Sequence, residues 1–138
     1  MEKYSTKSEK ETIKVAEEFA DTLKAGDIVL LDGDLGAGKT VFSKGIVSKL
    51  SDNRIIANSP TFVIMNVYDS TPKVYHFDLY RLDDSSELDA IGAEEYLYSD
   101  GISLVEWPNR VSDFFPETAI KVYIKKISDT ERLIEIER

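Results

Sequence analysis

The segment Gly33-Asp34-Leu35-Gly36-Ala37-Gly38-Lys39-Thr40 constrains this chain most, because it stands between a continuous apolar run and a helix-forming stretch. The run, Ile28-Val29-Leu30-Leu31, suits a strand buried on both faces. After the loop, Val41, Phe42, Gly45, Ile46, Val47 and Leu50 fall on one side of a helix that Ser51-Asp52-Asn53 ends. A buried strand turning through glycines into a helix implies an α/β sheet with helices packed on it.

The loop fits the spacing G-x-x-x-x-G-K-S/T at Gly33, Gly38, Lys39 and Thr40. Glycines let the backbone bend tightly and approach a phosphate without a Cβ clash. Successive N–H groups then converge on phosphate oxygens, and the following helix adds its positive N-terminal end. Lys39 is placed to reach β- and γ-phosphates, and the Thr40 hydroxyl to bind Mg2+. The loop alone does not choose among kinase, ATPase and GTPase. Asn53, Asn58, Asn66 and Asn109 are the asparagines, and none is followed by Lys, so no N-K-x-D guanine signature exists. That leans toward ATP.

The remaining elements follow from pattern. Ser8-Glu9-Lys10-Glu11 is a capping box, and Ile13, Val15, Ala16, Phe19, Ala20 and Leu23 continue the helix toward a stop at Gly26. Ile55 and Ile56 read as the start of a strand, and Ser59-Pro60 as a break. Phe62–Tyr68 and Lys73–Tyr80 read as an antiparallel hairpin around Asp69-Ser70-Thr71-Pro72. Asp83–Ser99 reads as two short helical pieces with Gly92 between them. Ile102–Val105 is a second buried strand, and Ala119–Ile127 with Arg132–Ile136 form a closing pair. With 138 residues and no composition break, the chain reads as one domain, residues 1–138.

A phosphate loop needs a carboxylate for its metal and a group that orients the attacking water. Open α/β sheets place such groups at strand C-termini. Glu106 ends the second buried strand, as a metal ligand or a solvated strand-end acid. Asp78 ends Val74-Tyr75-His76-Phe77, as a water-positioning group or as a cap or a partner for Arg81. Thr61 is a hydroxyl on the break, as a switch or a turn residue. Trp107 lines the nucleotide or packs, and His76, the sole histidine, reads as a core or hydrogen-bonding residue rather than a ligand. Arg81 and Arg110 are the arginine candidates for phosphate charge or surface ion pairs.

Composition narrows the setting. There is no cysteine, which excludes disulfides, thiolate catalysis and cysteine-ligated zinc. The net charge of −9 argues against direct binding to nucleic acid. No apolar run reaches membrane-span length and the N-terminus lacks a signal-peptide core, which fits a cytoplasmic protein.

Gly33–Thr40, then Ser59-Pro60-Thr61-Phe62, His76-Phe77-Asp78-Leu79-Tyr80-Arg81-Leu82 and Glu106-Trp107-Pro108 occur in that order. In this the chain resembles the TsaE (YjeE) family, the bacterial ATPase subunit of the tRNA threonylcarbamoyladenosine machinery. The resemblance runs from the capped first helix to the closing strands; after about Phe115 it is one of general form.

It implies a P-loop NTPase-like three-layer α/β sandwich with a mixed, partly antiparallel sheet. It implies ATP with Mg2+ as cofactors, held by Gly33, Asp34, Leu35, Gly36, Ala37, Gly38, Lys39, Thr40, Val41 and Trp107. Thr40 and Glu106 match the metal positions, Asp78 a position implicated in hydrolysis, and Thr61 a switch segment. With Lys39, these make the expected catalytic set Asp78, Glu106, Lys39 and Thr61. The implied partners are TsaD and TsaB, which modify the adenosine next to the tRNA anticodon, so that tRNA is met only through the complex. Two rivals remain on the residues themselves: a small P-loop kinase and a non-catalytic ATP-sensing switch. A site with no arginine clearly over the γ-phosphate would hydrolyse slowly alone.

Overall fold

The computed structural model describes residues 1–138 except 35, 53, 56, 58–64, 80–85, 91, 98 and 109–113, and the side chain of Glu87. The elements run β1 (Glu2–Thr6), α1 (Glu9–Ala20), β2 (Ile28–Asp32), α2 (Lys39–Leu50), β3 (Met65–Tyr68) and β4 (Val74–Asp78). They continue with α3 (Ser86–Ala90), α4 (Ala93–Leu97), β5 (Ile102–Glu106), β6 (Ile120–Lys126) and β7 (Arg132–Glu137).

The strands form one seven-stranded sheet in the order β1-β7-β6-β2-β5-β4-β3. Its centre is parallel, since β2 pairs with both β5 and β6, and β4 with β5. The flanks are antiparallel: β1 and β6 against β7, and β3 against β4. The mixed sheet expected from the resemblance is therefore present.

Side-chain alternation on β2 explains the layers. Val29 and Leu31 join Ala16, Phe19, Phe42, Ile46 and Val47 in a core under α1 and α2. Ile28 and Leu30 face the other way, onto Leu88, Ala93 and Leu97 of α3 and α4. A strand covered on both faces must be apolar throughout, as Ile28–Leu31 is. Each such side chain contributes about 1.5–3 kcal/mol on leaving water, which fixes β2 as the central rail. The two covering helices approach closely at Gly45, where a Cβ would lie 2.6 Å from the Cβ of Ala16. The Phe19 and Phe42 rings fill the neighbouring space with centroids 5.7 Å apart.

Several expectations change. The helix opened by Ser8 does not reach Gly26; it ends at Ala20 with Asp21 as C-cap. Thr22 bonds back to the Phe19 carbonyl through its amide (3.0 Å) and its hydroxyl (2.7 Å), which tightens and closes the last turn. Gly26, at φ 94°, instead serves the turn into β2, and its N–H donates to the Gly101 carbonyl. At the other end the Ser8 hydroxyl accepts from Glu11 N–H, while the Glu11 carboxylate takes the N–H of Lys7 rather than that of Ser8. Arg54 and Ile55 are not in a strand, because this stretch is folded back by bonds to Ser51; Ile56 lies outside the described residues. β1, which no apolar pattern announces, forms the edge of the sheet beyond β7.

Candidate functional site

The C-terminal ends of β2, β5 and β4 lie side by side. Leu31 stands opposite Glu106 and Asp78 opposite Glu106 in the parallel registers, so Asp32, Glu106 and Asp78 share one sheet edge. The glycine loop leaves β2 at this edge. A Cβ on Gly33 would meet the Ile124 carbonyl oxygen at 2.5 Å, so the chain passes against β6 only because glycine is there. Asp32 Oδ1 accepts the Gly33 N–H at 2.8 Å, and Ala37 N–H closes a turn onto the Asp34 carbonyl at 3.0 Å.

Gly38, left-handed at φ 109°, is the N-cap of α2 and offers no side-chain cap. The first-turn amides of a helix have no intrahelical acceptor and carry the positive end of its dipole. That end faces the edge where the carboxylates gather. An uncapped helix start behind a glycine loop is suited to an anion.

Lys39 is only 6% exposed. Its ammonium donates to the Gly33 carbonyl and lies 3.2 Å from the centroid of the Trp107 ring. Burial pulls its pKa down, and the charges of Glu106, Asp32, Asp78 and Asp34 act against that pull. The lysine is therefore buried while still feeling the charge of four carboxylates. Trp107 reaches it from a backbone at φ 62°, a conformation a bulky residue holds only when its surroundings impose it. The indole packs on the α3–α4 core and turns its face to Lys39.

Glu106 is 2% exposed and His76 fully buried. His76 Nε2–H donates to Glu106 Oε2 at 2.5 Å across the β4–β5 pair. This holds one carboxylate oxygen of Glu106 in place. Among the described residues no group of three or more Asp, Glu or His is arranged to hold a metal. A Mg2+ site here would draw on phosphate oxygens besides Thr40 and Glu106, which suits that ion's habit of using few protein ligands.

The fold thus gathers Gly33, Asp34, Gly36, Ala37, Gly38, Lys39 and Trp107 with Asp78 and Glu106, and places Thr40 and Val41 in the first turn of α2. Leu35, Thr61, Arg81 and Arg110 lie outside the described residues. Three residues make contacts at the site that the pattern did not foresee. Asp32 had a signal, since it ends a buried strand as Glu106 does. His76 is the core, hydrogen-bonding residue it was read as, but its partner Glu106 was not foreseen. Arg132 had none: its guanidinium bonds to the Ala37 carbonyl, ninety-five positions earlier in sequence.

A glycine loop, a buried lysine and strand-end acids on a mixed sheet define the class: a P-loop NTPase-like three-layer α/β sandwich. The family model for "Threonylcarbamoyl adenosine biosynthesis protein TsaE" matches residues 6–134, and the chain belongs to the TsaE family. It is 41% identical over 133 residues to the tRNA threonylcarbamoyladenosine biosynthesis protein TsaE of Bacillus subtilis, covering 96% of this chain and 82% of the relative. It is 41% identical over 131 residues to the protein of that name from Rickettsia bellii, covering 94% and 90%. The crystal structure of Bacillus subtilis YdiB superposes with a TM-score of 0.81 at 36% identity, covering 96% of this chain and 82% of that one. Among the described residues no helix is long and apolar enough to cross a membrane.

Proposed function

We propose that this chain is a Mg2+-dependent ATP-binding and ATP-hydrolysing subunit that supports threonylcarbamoyl modification of tRNA through TsaD and TsaB in the cytoplasm. One observation carries this reading. Lys39, buried at the start of α2, bonds to the Gly33 carbonyl and lies against the Trp107 face, behind a glycine loop whose helix has no side-chain cap.

The residues divide the work as follows. The amides of Gly36, Gly38, Lys39 and Thr40 bind the phosphates, while that of Ala37 keeps the turn onto Asp34, and Lys39 leaves the Gly33 carbonyl to neutralise the β- and γ-oxygens. Thr40 and Glu106 would hold the metal, and His76 keeps the Glu106 carboxylate in place. Mg2+ there would supply positive charge against that of the phosphates. Asp78 stands next to Glu106 on the neighbouring strand and orients the attacking water. Thr61 senses the γ-phosphate. Trp107 walls the pocket beside Lys39 and excludes water there.

The test is ATP turnover by the purified chain, alone and with TsaD and TsaB. Slow turnover alone that rises with the partners is expected. Fast turnover indifferent to them contradicts the proposal.

A further inference from the structure

Arg132, the first residue of β7, reaches across β6 to the back of the glycine loop. Its Nε donates to the Ala37 carbonyl at 2.9 Å and its Nη2 to the Gly36 carbonyl at 3.4 Å. Its Nη1 donates to the carbonyls of Ser128 (2.7 Å) and Glu131 (3.0 Å) in the β6–β7 turn. Among the described residues it makes no ion pair with a carboxylate. One planar cation therefore joins the loop to the hairpin through backbone oxygens alone.

We infer that Arg132 is a positioning residue for the phosphate loop, which rests on the reading of that loop as an anion site. The Ala37 carbonyl and the Gly38 N–H belong to one peptide unit and point in opposite directions. A guanidinium on the oxygen draws electron density through the unit and makes the N–H on the other side a stronger donor. The bond to Gly36 acts differently. That peptide's N–H, on Ala37, already closes the turn onto Asp34, so there the arginine locks the bend. A loop fixed before the ligand arrives loses less freedom on binding. The fork of the guanidinium is needed, because a lysine cannot span the loop and the turn together.

The test compares Arg132→Ala, Arg132→Lys and Lys126→Ala, which alters the strand position facing Arg132 without touching the loop. ATP and ADP binding are measured by calorimetry, and the Gly38 amide by 1H–15N spectroscopy. Arg132→Ala is expected to weaken both nucleotides by about tenfold, the size of losing a charge-assisted hydrogen bond. The Gly38 amide proton moves upfield in this variant, a change that a loss of stability alone does not produce. Arg132→Lys recovers only part of the affinity, and Lys126→Ala changes neither readout. Undiminished ATP affinity in Arg132→Ala overturns the inference. Should that variant fail to fold, Arg132→Lys decides: weakened binding upholds the role and unchanged binding overturns it. Lys39→Ala separates this from the underlying reading. If Lys39→Ala loses ATP while the Arg132 variants keep it, only the positioning role falls; if Lys39→Ala keeps it, the loop reading falls.

Discussion

His76 Nε2 lies 2.5 Å from Glu106 Oε2, and the two side chains are 0% and 3% exposed. A carboxylate so deeply buried needs its partner, because an unpaired buried acceptor costs far more than an ordinary hydrogen bond returns. Replacing His76 by Leu strands the carboxylate. The expected loss is about 2–3 kcal/mol. Glu106→Gln keeps an acceptor for His76 and should cost less. Urea unfolding of the two variants checks this; equal stability of His76→Leu and the unaltered chain contradicts it.

Lys39 shows function set against stability. Burial penalises its ammonium, so folding favours the neutral amine. Because burial outweighs the attraction of the nearby acids, Lys39→Met should stabilise the ligand-free chain. The sign of the pH dependence follows. Because the folded-state pKa is depressed, the burial penalty is fully present while Lys39 is protonated in both states. As pH rises through the folded pKa, the unfolded chain binds more protons than the folded one and stability increases. The gap between Lys39→Met and the unaltered chain should therefore narrow toward alkaline pH. Thermal melts across that range measure it, and a gap that widens contradicts it.

Gly45 sets the distance between α1 and α2. An added Cβ would stand 2.6 Å from the Cβ of Ala16 and 2.9 Å from the Ile13 carbonyl oxygen, both fixed by helix backbone. Gly45→Ala must push the helices apart and should lose about 1–3 kcal/mol despite alanine's better helix propensity. Equilibrium unfolding that shows a gain in stability would mean the helices part without strain.

The parts of this molecule that were legible in sequence are those where one local pattern carries the information. Ile28–Leu31, the glycine loop and α2 declare themselves because a doubly covered strand must be apolar and a tight strand-to-helix turn must contain glycine. The β3–β4 hairpin and the break at Gly92 follow similarly local rules. β1 escaped because Glu2–Thr6 is a polar edge strand whose pairing partner, β7, lies at the opposite end of the chain. The early end of α1 depends on the Thr22 hydroxyl choosing the Phe19 carbonyl, which helical spacing does not encode. At the site, the acids at strand ends were legible as types in positions. Their settings were not: the His76–Glu106 bond needs the β4–β5 register, and the Arg132 brace needs β7 to fold back beyond β6.

The central claim is that the amides of Gly36, Gly38 and Thr40 with Lys39 hold a triphosphate, with a metal shared by Thr40 and Glu106. The most direct measurement is calorimetric titration with ATP, with and without Mg2+, for the unaltered chain, Lys39→Ala and Glu106→Gln. The account predicts saturable binding strengthened by Mg2+ in the unaltered chain and no binding in Lys39→Ala. It predicts for Glu106→Gln binding that Mg2+ no longer strengthens. Saturable binding in Lys39→Ala as tight as in the unaltered chain, or no ATP binding by the unaltered chain, would contradict it.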